Sequence, residues 1–99
     1  MTVIVSATAS YELEQAAQHY HQIHPTLSKR LLDEFEYVVD LLNDHPRIYR
    51  ETSIEDVHIA SFHSFPYELY YRCSATRVEV VHILPARMDP EKKYEILDR

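Results

Sequence analysis

The sequence predicts one α+β domain in which a helical hairpin lies across one face of an antiparallel sheet. Three observations point to it. Apolar residues recur at helical spacing from Ala9 to Leu42, the period of a buried helix face. A lone proline, Pro25, separates two such stretches and leaves almost no linker between them. The second half holds three closely spaced runs rich in β-branched and aromatic residues, the pattern of an antiparallel meander. The expected order is β-α-α-β-β-β with a short closing helix, one domain over residues 1–99.

Thr2–Val5 reads as a short strand because Val3, Ile4 and Val5 are β-branched. Ser6 or Thr8 then offers a helix N-cap. Ala9, Leu13, Ala16, Ala17 and Tyr20 trace one helical face, and Glu12 and Glu14 lie near the start, where the helix dipole favours anions. Pro25 should stop this helix near Ile23 or His24. The second helix is expected from Thr26 to Asn43, with Leu27, Leu31, Phe35, Val38 and Leu42 as its buried stripe. Lys29, Arg30, Asp33, Glu34, Glu36 and Asp40 fall mostly on its wet side. So short a link forces the two helices into an antiparallel hairpin.

Val57–Phe62, Phe65–Arg72 and Arg77–Leu84 are the three meander strands, and Arg47–Thr52 is a candidate edge strand. In the middle strand Phe65, Tyr67, Leu69 and Tyr71 share one face, and Glu68, Tyr70 and Arg72 share the other. That alternation predicts one buried and one wet face. Leu31, Phe35 and Val38 are expected to pack on the buried one. Glu91–Leu97 reads as a terminal helix with Pro90 at its first position.

Composition narrows the chemistry. The chain has no glycine, which excludes the dinucleotide fingerprint, the P-loop, the nucleophile elbow and the EF-hand loop. One cysteine, Cys73, excludes an internal disulfide and a multi-cysteine zinc site. Ten Lys/Arg against sixteen Asp/Glu give a net charge of −6, which argues against a free-standing nucleic-acid binder. No apolar run exceeds three residues, so nothing reads as a membrane span or signal peptide, and a cytoplasmic location is expected.

Several residue sets invite a functional reading. The seven histidines show no converging ligand spacing, so no metal site is expected. Cys73 has no visible partner base and reads as an incidental thiol. Tyr70, on the face expected to be wet beside Glu68 and Arg72, suits a contact with a partner or a cross-strand pair that caps the sheet; the two readings stand evenly. Arg87, Lys92, Lys93 and Arg99, with Tyr94 among them, form the one local basic cluster. Arg and Lys can stabilise phosphate charge while Tyr handles protons. On charge alone a solvated helix end outweighs that reading, because Asp89, Glu91, Glu95 and Asp98 dilute the cluster.

The motifs in order carry a resemblance. Ala9-x-x-Glu12-Leu13-x-x-Ala16-x-x-x-Tyr20 resembles the first helix of the RelE/ParE toxin superfamily, particularly its ParE-like plasmid-stabilisation members. Leu27 through Pro46 resembles their second helix. Phe65-Pro66-Tyr67-x-Leu69-x-Tyr71 resembles the strand that begins Phe-Pro-Tyr and ends in Tyr. Val78-x-Val80 leading to Arg87-x-Asp89-Pro90 resembles the next strand and its Arg-Asp-Pro exit. The resemblance implies a toxin of a type II toxin–antitoxin pair, neutralised by an antitoxin from a neighbouring gene. Its targets would be DNA gyrase, as for ParE-like members, or ribosome-bound mRNA, as for RelE-like nucleases.

The departures favour the first. Glu68 stands where the nucleases carry a basic residue, Pro85 replaces a His and His58 replaces an Arg. Arg87 matches a nuclease arginine, and Tyr94 lies about one residue out of register with the nuclease tyrosine. The expectation is a toxin acting by protein–protein contact on gyrase, with Tyr70, Arg72, Glu68 and Arg87 as candidates for target or antitoxin binding. The alternatives are an mRNA endonuclease using Arg87, Tyr94, Lys92 and Lys93, and a degenerate antitoxin-binding module. No cofactor is called for, and no sequence-specific DNA binding by the toxin alone.

Overall fold

A computed structural model describes residues 1–98; Arg99 of the basic cluster lies outside the described residues. The elements are β1 (Thr2–Val5), α1 (Ala7–Ile23), α2 (Pro25–Asp44), β2 (Val57–Ser61), β3 (Tyr67–Cys73), β4 (Arg77–Pro85) and α3 (Pro90–Leu97). The α+β order is the one the sequence predicts. Ser6 is the N-cap of α1, its Oγ accepting from the Ala9 amide at 3.0 Å. His24 serves both helices. Its amide donates to the Tyr20 carbonyl at 2.9 Å and closes α1, while its Nδ1 accepts from the Thr26 amide at 3.1 Å and caps α2. Pro25 then opens α2, one residue before the expected start, because a proline needs no amide partner in a first turn.

The sheet order is β1-β4-β3-β2. The β2–β3–β4 meander is antiparallel, but β1 pairs with β4 in parallel, so the sheet is mixed rather than wholly antiparallel. The reason is one of parity. The helical hairpin carries the chain out and back, so that the Met1 ammonium donates to the Asn43 carbonyl at 2.9 Å. β2 therefore sets out from the end where β1 began. Two reversals later, β4 runs in the same direction as β2 and so as β1. The candidate strand at Arg47–Thr52 is corrected to an irregular segment with one bridge, Glu51 to His58. Its bonds from Thr52 N to Val57 O (2.7 Å) and from Ile59 N to Arg50 O (3.1 Å) cover the outer edge of β2.

β4 contains a bulge. Tyr70 faces His82 and Tyr71 faces Val80, which leaves Val81 without a partner. The extra residue shifts the phase of the strand. Val78 and Val80 point to the helical hairpin before it, and Ile83 does so after it. Val81 and Leu84 point to the opposite face. α1 supplies the bonds that the irregularity needs. Ser6 Oγ donates to the Val81 carbonyl at 3.2 Å, and Glu12 Oε1 accepts from the Ile83 amide at 2.8 Å. The Glu12 carboxylate also meets His82 Nδ1 at 3.2 Å. α1 begins at Ala7, so Glu12 lies beyond the first turn and acts through these bonds rather than through the dipole.

The main core lies between the hairpin and the sheet. Ala9, Leu13, Ala16, Leu31, Val38 and Leu42 meet Phe65, Leu69, Tyr71 and Val80 there, and Phe35 and Tyr67 are only half-buried at its margin. Glu34, expected on the wet side, accepts from the amides of His63 (2.9 Å) and Ser64 (2.8 Å) and ties α2 to the β2–β3 loop. A second core occupies the other face, where Tyr70, Val57, Ile59 and Leu84 lie under Leu97 of α3. That face was expected to be wet. Tyr70 is instead 3% exposed, because α3 folds back over it.

Leu42→Ala should cost about 2–5 kcal/mol, the penalty for emptying a fully buried aliphatic site. Phe35→Ala, at the core margin, should cost no more than about half the usual aromatic penalty of ~3–5 kcal/mol. Chemical denaturation of both variants checks the order. Tyr71 makes a second prediction. Its ring stacks on His58 at 5.0 Å, while its buried hydroxyl has no hydrogen-bond partner among the described residues. Burial pushes its pKa up from 10.0 to about 12, and the nearby Tyr49 backbone offsets this only in part. The folded state holds this proton more tightly than the unfolded chain, so the stability it contributes is complete below pH 10 and is lost as pH rises through about 12. Tyr71→Phe should be neutral or stabilising at neutral pH by up to about 1–2 kcal/mol and should lessen the alkaline loss. Denaturation midpoints across the alkaline range test both points.

Candidate functional site

The candidate residues separate into two regions. Glu68, Tyr70, Arg72, Lys93 and Tyr94 belong to the attachment of α3. Asp89 starts that helix by accepting from the Glu91 amide at 3.0 Å, with Pro90 in the first turn. Glu68 Oε1 then accepts from Lys93 Nζ at 2.8 Å and from the Tyr70 hydroxyl at 2.9 Å. Burial is the larger cause that holds the Tyr70 phenol well above its usual range, and the Glu68 carboxylate adds to it. Lys93 also donates to the Ala86 carbonyl at 2.9 Å. Arg72 donates to the Leu97 carbonyl at 3.3 Å, at the C-terminal end of α3, where a cation complements the helix dipole. Ser53 Oγ donates to the Tyr94 hydroxyl at 3.1 Å.

Tyr70 is therefore corrected from an exposed contact residue to a core residue. Glu68 is not a bare carboxylate: it is largely covered and paired. Lys92 is exposed on α3.

The second region is around Arg87. The turn after β4 is pinned by the Ala86 amide, which donates to the Pro66 carbonyl at 2.8 Å. Arg87 projects from this turn, exposed, and makes no hydrogen bond or ion pair among the described residues. It lines a cleft of about 280 Å³ with His19, Tyr20, Pro66, Tyr67 and Pro85. Tyr20 stacks edge-on against Phe65 (4.8 Å between ring centroids) and Tyr67 (6.3 Å). The helix-one motif and the Phe-Pro-Tyr motif thus meet in one aromatic wall. Sequence reasoning found Arg87 but missed His19 and Tyr67 beside it, because α1 and β3 converge there only in three dimensions.

Arg87 and Tyr94 line clefts with no residue in common: Tyr94 lies with Arg50, Ile54, Tyr70 and Leu97. Among the described residues no group of three or more His, Cys, Asp or Glu converges as metal ligands would. Cys73 is buried, with its Sγ 3.7 Å from the Ser74 carbonyl. No helix among those residues is long and apolar enough to cross a membrane.

Glu68→Ala removes one acceptor from two donors that stay covered. It should cost about 1–3 kcal/mol and release α3 ahead of the rest of the fold. Hydrogen exchange should then quicken in Pro90–Leu97 first, whereas Lys92→Ala should leave both stability and exchange within about 0.5 kcal/mol of wild type.

The comparisons with known proteins agree with this architecture. A family model described as the ParE toxin of the type II toxin–antitoxin system parDE matches residues 3–90. No curated protein matches the chain significantly. Among solved structures, one described as the chromosomal ParDE toxin–antitoxin system from P. aeruginosa superposes with a TM-score of 0.76 at 13% identity, covering 88% of this chain and 97% of that one. At that identity the likeness is one of fold. The family match spans both helices of the hairpin, all of the sheet but Thr2 and the Arg-x-Asp-Pro exit, and the chain belongs to the ParE toxin family of type II toxin–antitoxin systems.

Proposed function

We propose that this toxin acts by protein–protein contact on DNA gyrase, without cleaving RNA, and that a cognate antitoxin neutralises it. The observation that carries the reading is the dispersal of the nuclease candidates. Arg87 and Tyr94 line separate clefts, and Lys93 is engaged by Glu68 and the Ala86 carbonyl. Phosphodiester cleavage without a metal needs a proton-transfer group and cations converging on one phosphate, each worth several kcal/mol in the transition state. A paired lysine and two groups that line separate clefts supply little of that. The net charge of −6 also disfavours a ribosomal RNA surface.

Primer extension on ribosome-bound message should show no codon-positioned cleavage with the purified toxin. A supercoiling assay should show gyrase inhibition that is relieved by the antitoxin. Cleavage that disappears in both Arg87→Ala and Tyr94→Phe would sink this reading and establish the endonuclease. Inactivity in both assays, with the antitoxin still bound, would leave a degenerate binding module. Saturating antitoxin should raise the melting temperature, since a ligand of the folded state alone stabilises it.

A further inference from the structure

The two edges of the sheet differ. The outer edge of β2 is covered by the segment at Arg50–Thr52, through the Thr52–Val57 and Ile59–Arg50 bonds. β1 forms the other edge. The Ser6 amide donates to the Val80 carbonyl at 2.9 Å, and peptide groups two residues apart along a strand face the same neighbour. Thr2 and Ile4 therefore bond to β4, and the N–H and C=O groups of Val3 and Val5 point away from the sheet. Among the described residues no loop or side chain bonds to them. The usual protections of a bare edge are missing as well: β1 carries no charge and no proline, and its register with β4 has no bulge. Val3 and Val5 pack against the main core, so Ile4 turns to the opposite face. It is 38% exposed there and belongs to neither core.

We propose that two copies of this chain pair antiparallel through these edges, about a two-fold axis at Ile4, and join their four-stranded sheets into one. The inference depends on neither gyrase nor the antitoxin. The spacing is self-complementary. With Ile4 on the axis, Val3 meets Val5 of the second copy, and Val5 meets Val3 of the second copy. Both are antiparallel pairs that exchange two N–H···O bonds, so no outward group is left over. Ile4 meets its own counterpart at the intervening position, where side chains come closest and apolar β-branched residues support each other. Charge points the same way. The strand has no ionic group for RNA or a charged peptide to find, and the β4 residues beside it, Arg77 and Glu79, are of opposite sign. Two bodies of net charge −6 repel each other. So short an edge also buries less than the ~1,200 Å² of a standard interface. The dimer is therefore weak, with a Kd on the order of 0.1 mM. Salt screens the repulsion, so higher ionic strength should tighten it.

The test is sedimentation equilibrium of the full chain up to about 1 mM, ten times the expected Kd. Ile4→Lys and Ile4→Glu each place like charges face to face on the axis and should weaken the dimer by about tenfold or more. An equal mixture of the two variants sets Lys against Glu and should associate at least about tenfold more tightly than either alone. The same pair of changes at Ile48, exposed elsewhere on the chain, should leave the wild-type Kd within about twofold and show no gain on mixing. Ile4 lies outside both cores, so the melting temperatures of its variants should stay near wild type. Hydrogen exchange adds a readout at single amides. Those of Val3 and Val5 should exchange quickly in dilute toxin and slowly in concentrated toxin, while the Ile4 amide, bonded to β4, stays protected throughout. A chain that remains monomeric across that range would overturn the proposal. So would a dimer indifferent to both Ile4 variants, which would place the contact on another face, or a mixture no tighter than its components. Protection of Val3 and Val5 that appears only when antitoxin is added to a monomeric toxin would give the edge to the antitoxin and overturn it too.

Discussion

The bulge at Val81 lets one strand serve two cores. A regular β4 would keep a single alternation along its length and would turn Ile83 away from the hairpin. With the extra residue, Val78, Val80 and Ile83 all reach the hairpin side, and Val81 and Leu84 reach α3. A bulge disrupts the ladder locally, and a polar backbone group left bare in the interior costs about 1–3 kcal/mol. Ser6 and Glu12 prevent that cost by bonding to the Val81 carbonyl and the Ile83 amide. Those two bonds tie the start of α1 to β4 beside the apolar contacts of Ala9, Leu13 and Ala16. Glu12 in the Ala-x-x-Glu-Leu motif is therefore a structural residue.

α3 completes the sheet rather than decorating it. Without it Tyr70, Val57, Ile59 and Leu84 would form an exposed apolar face in a chain of 99 residues, where each buried side chain contributes about 1.5–3 kcal/mol. Polar contacts then set its position. Glu68 joins Lys93, and Arg72 meets the last turn at the Leu97 carbonyl. This explains the carboxylate at Glu68 better than any repulsion of phosphate. In this chain the position is an anchor for the closing helix.

Much of this was legible in the sequence. The 3.6-residue pattern from Ala9 to Leu42 found both helices, and Pro25 found the tight hairpin. Alternation in Tyr67, Leu69 and Tyr71 found the face that meets them. The direction of β1 was not read, although the length of the hairpin implies where β2 must start. The second core was missed for a clear reason: alternation reports that two faces differ, not that the second is bare. A helix of eight residues with only Leu97 buried gives little periodic signal, so nothing marked the segment that covers Tyr70. The candidate site was half legible. Arg87 stood out by its motif, whereas His19 and Tyr67 reach it from positions 68 and 20 residues earlier in the chain.

The motifs that carry the family resemblance are mostly instructions for folding. Ala9, Leu13 and Ala16 are small or aliphatic because α1 lies close on β4. Tyr20, Phe65 and Tyr67 build one aromatic wall. Pro66 offers the carbonyl that pins the exit turn, and Asp89-Pro90 starts α3. A chain can keep all of these and change its target, because none of them needs to touch anything outside the molecule. Arg87 differs from the rest of its motif. The exit turn holds its shape through the backbone of Ala86, so the Arg87 side chain is not needed for the fold. A long, flexible cation held in water beside an aromatic wall gains most from a partner that brings a carboxylate and excludes that water. The turn holds that cation between α1 and the end of the sheet, beside His19, Tyr20 and Tyr67.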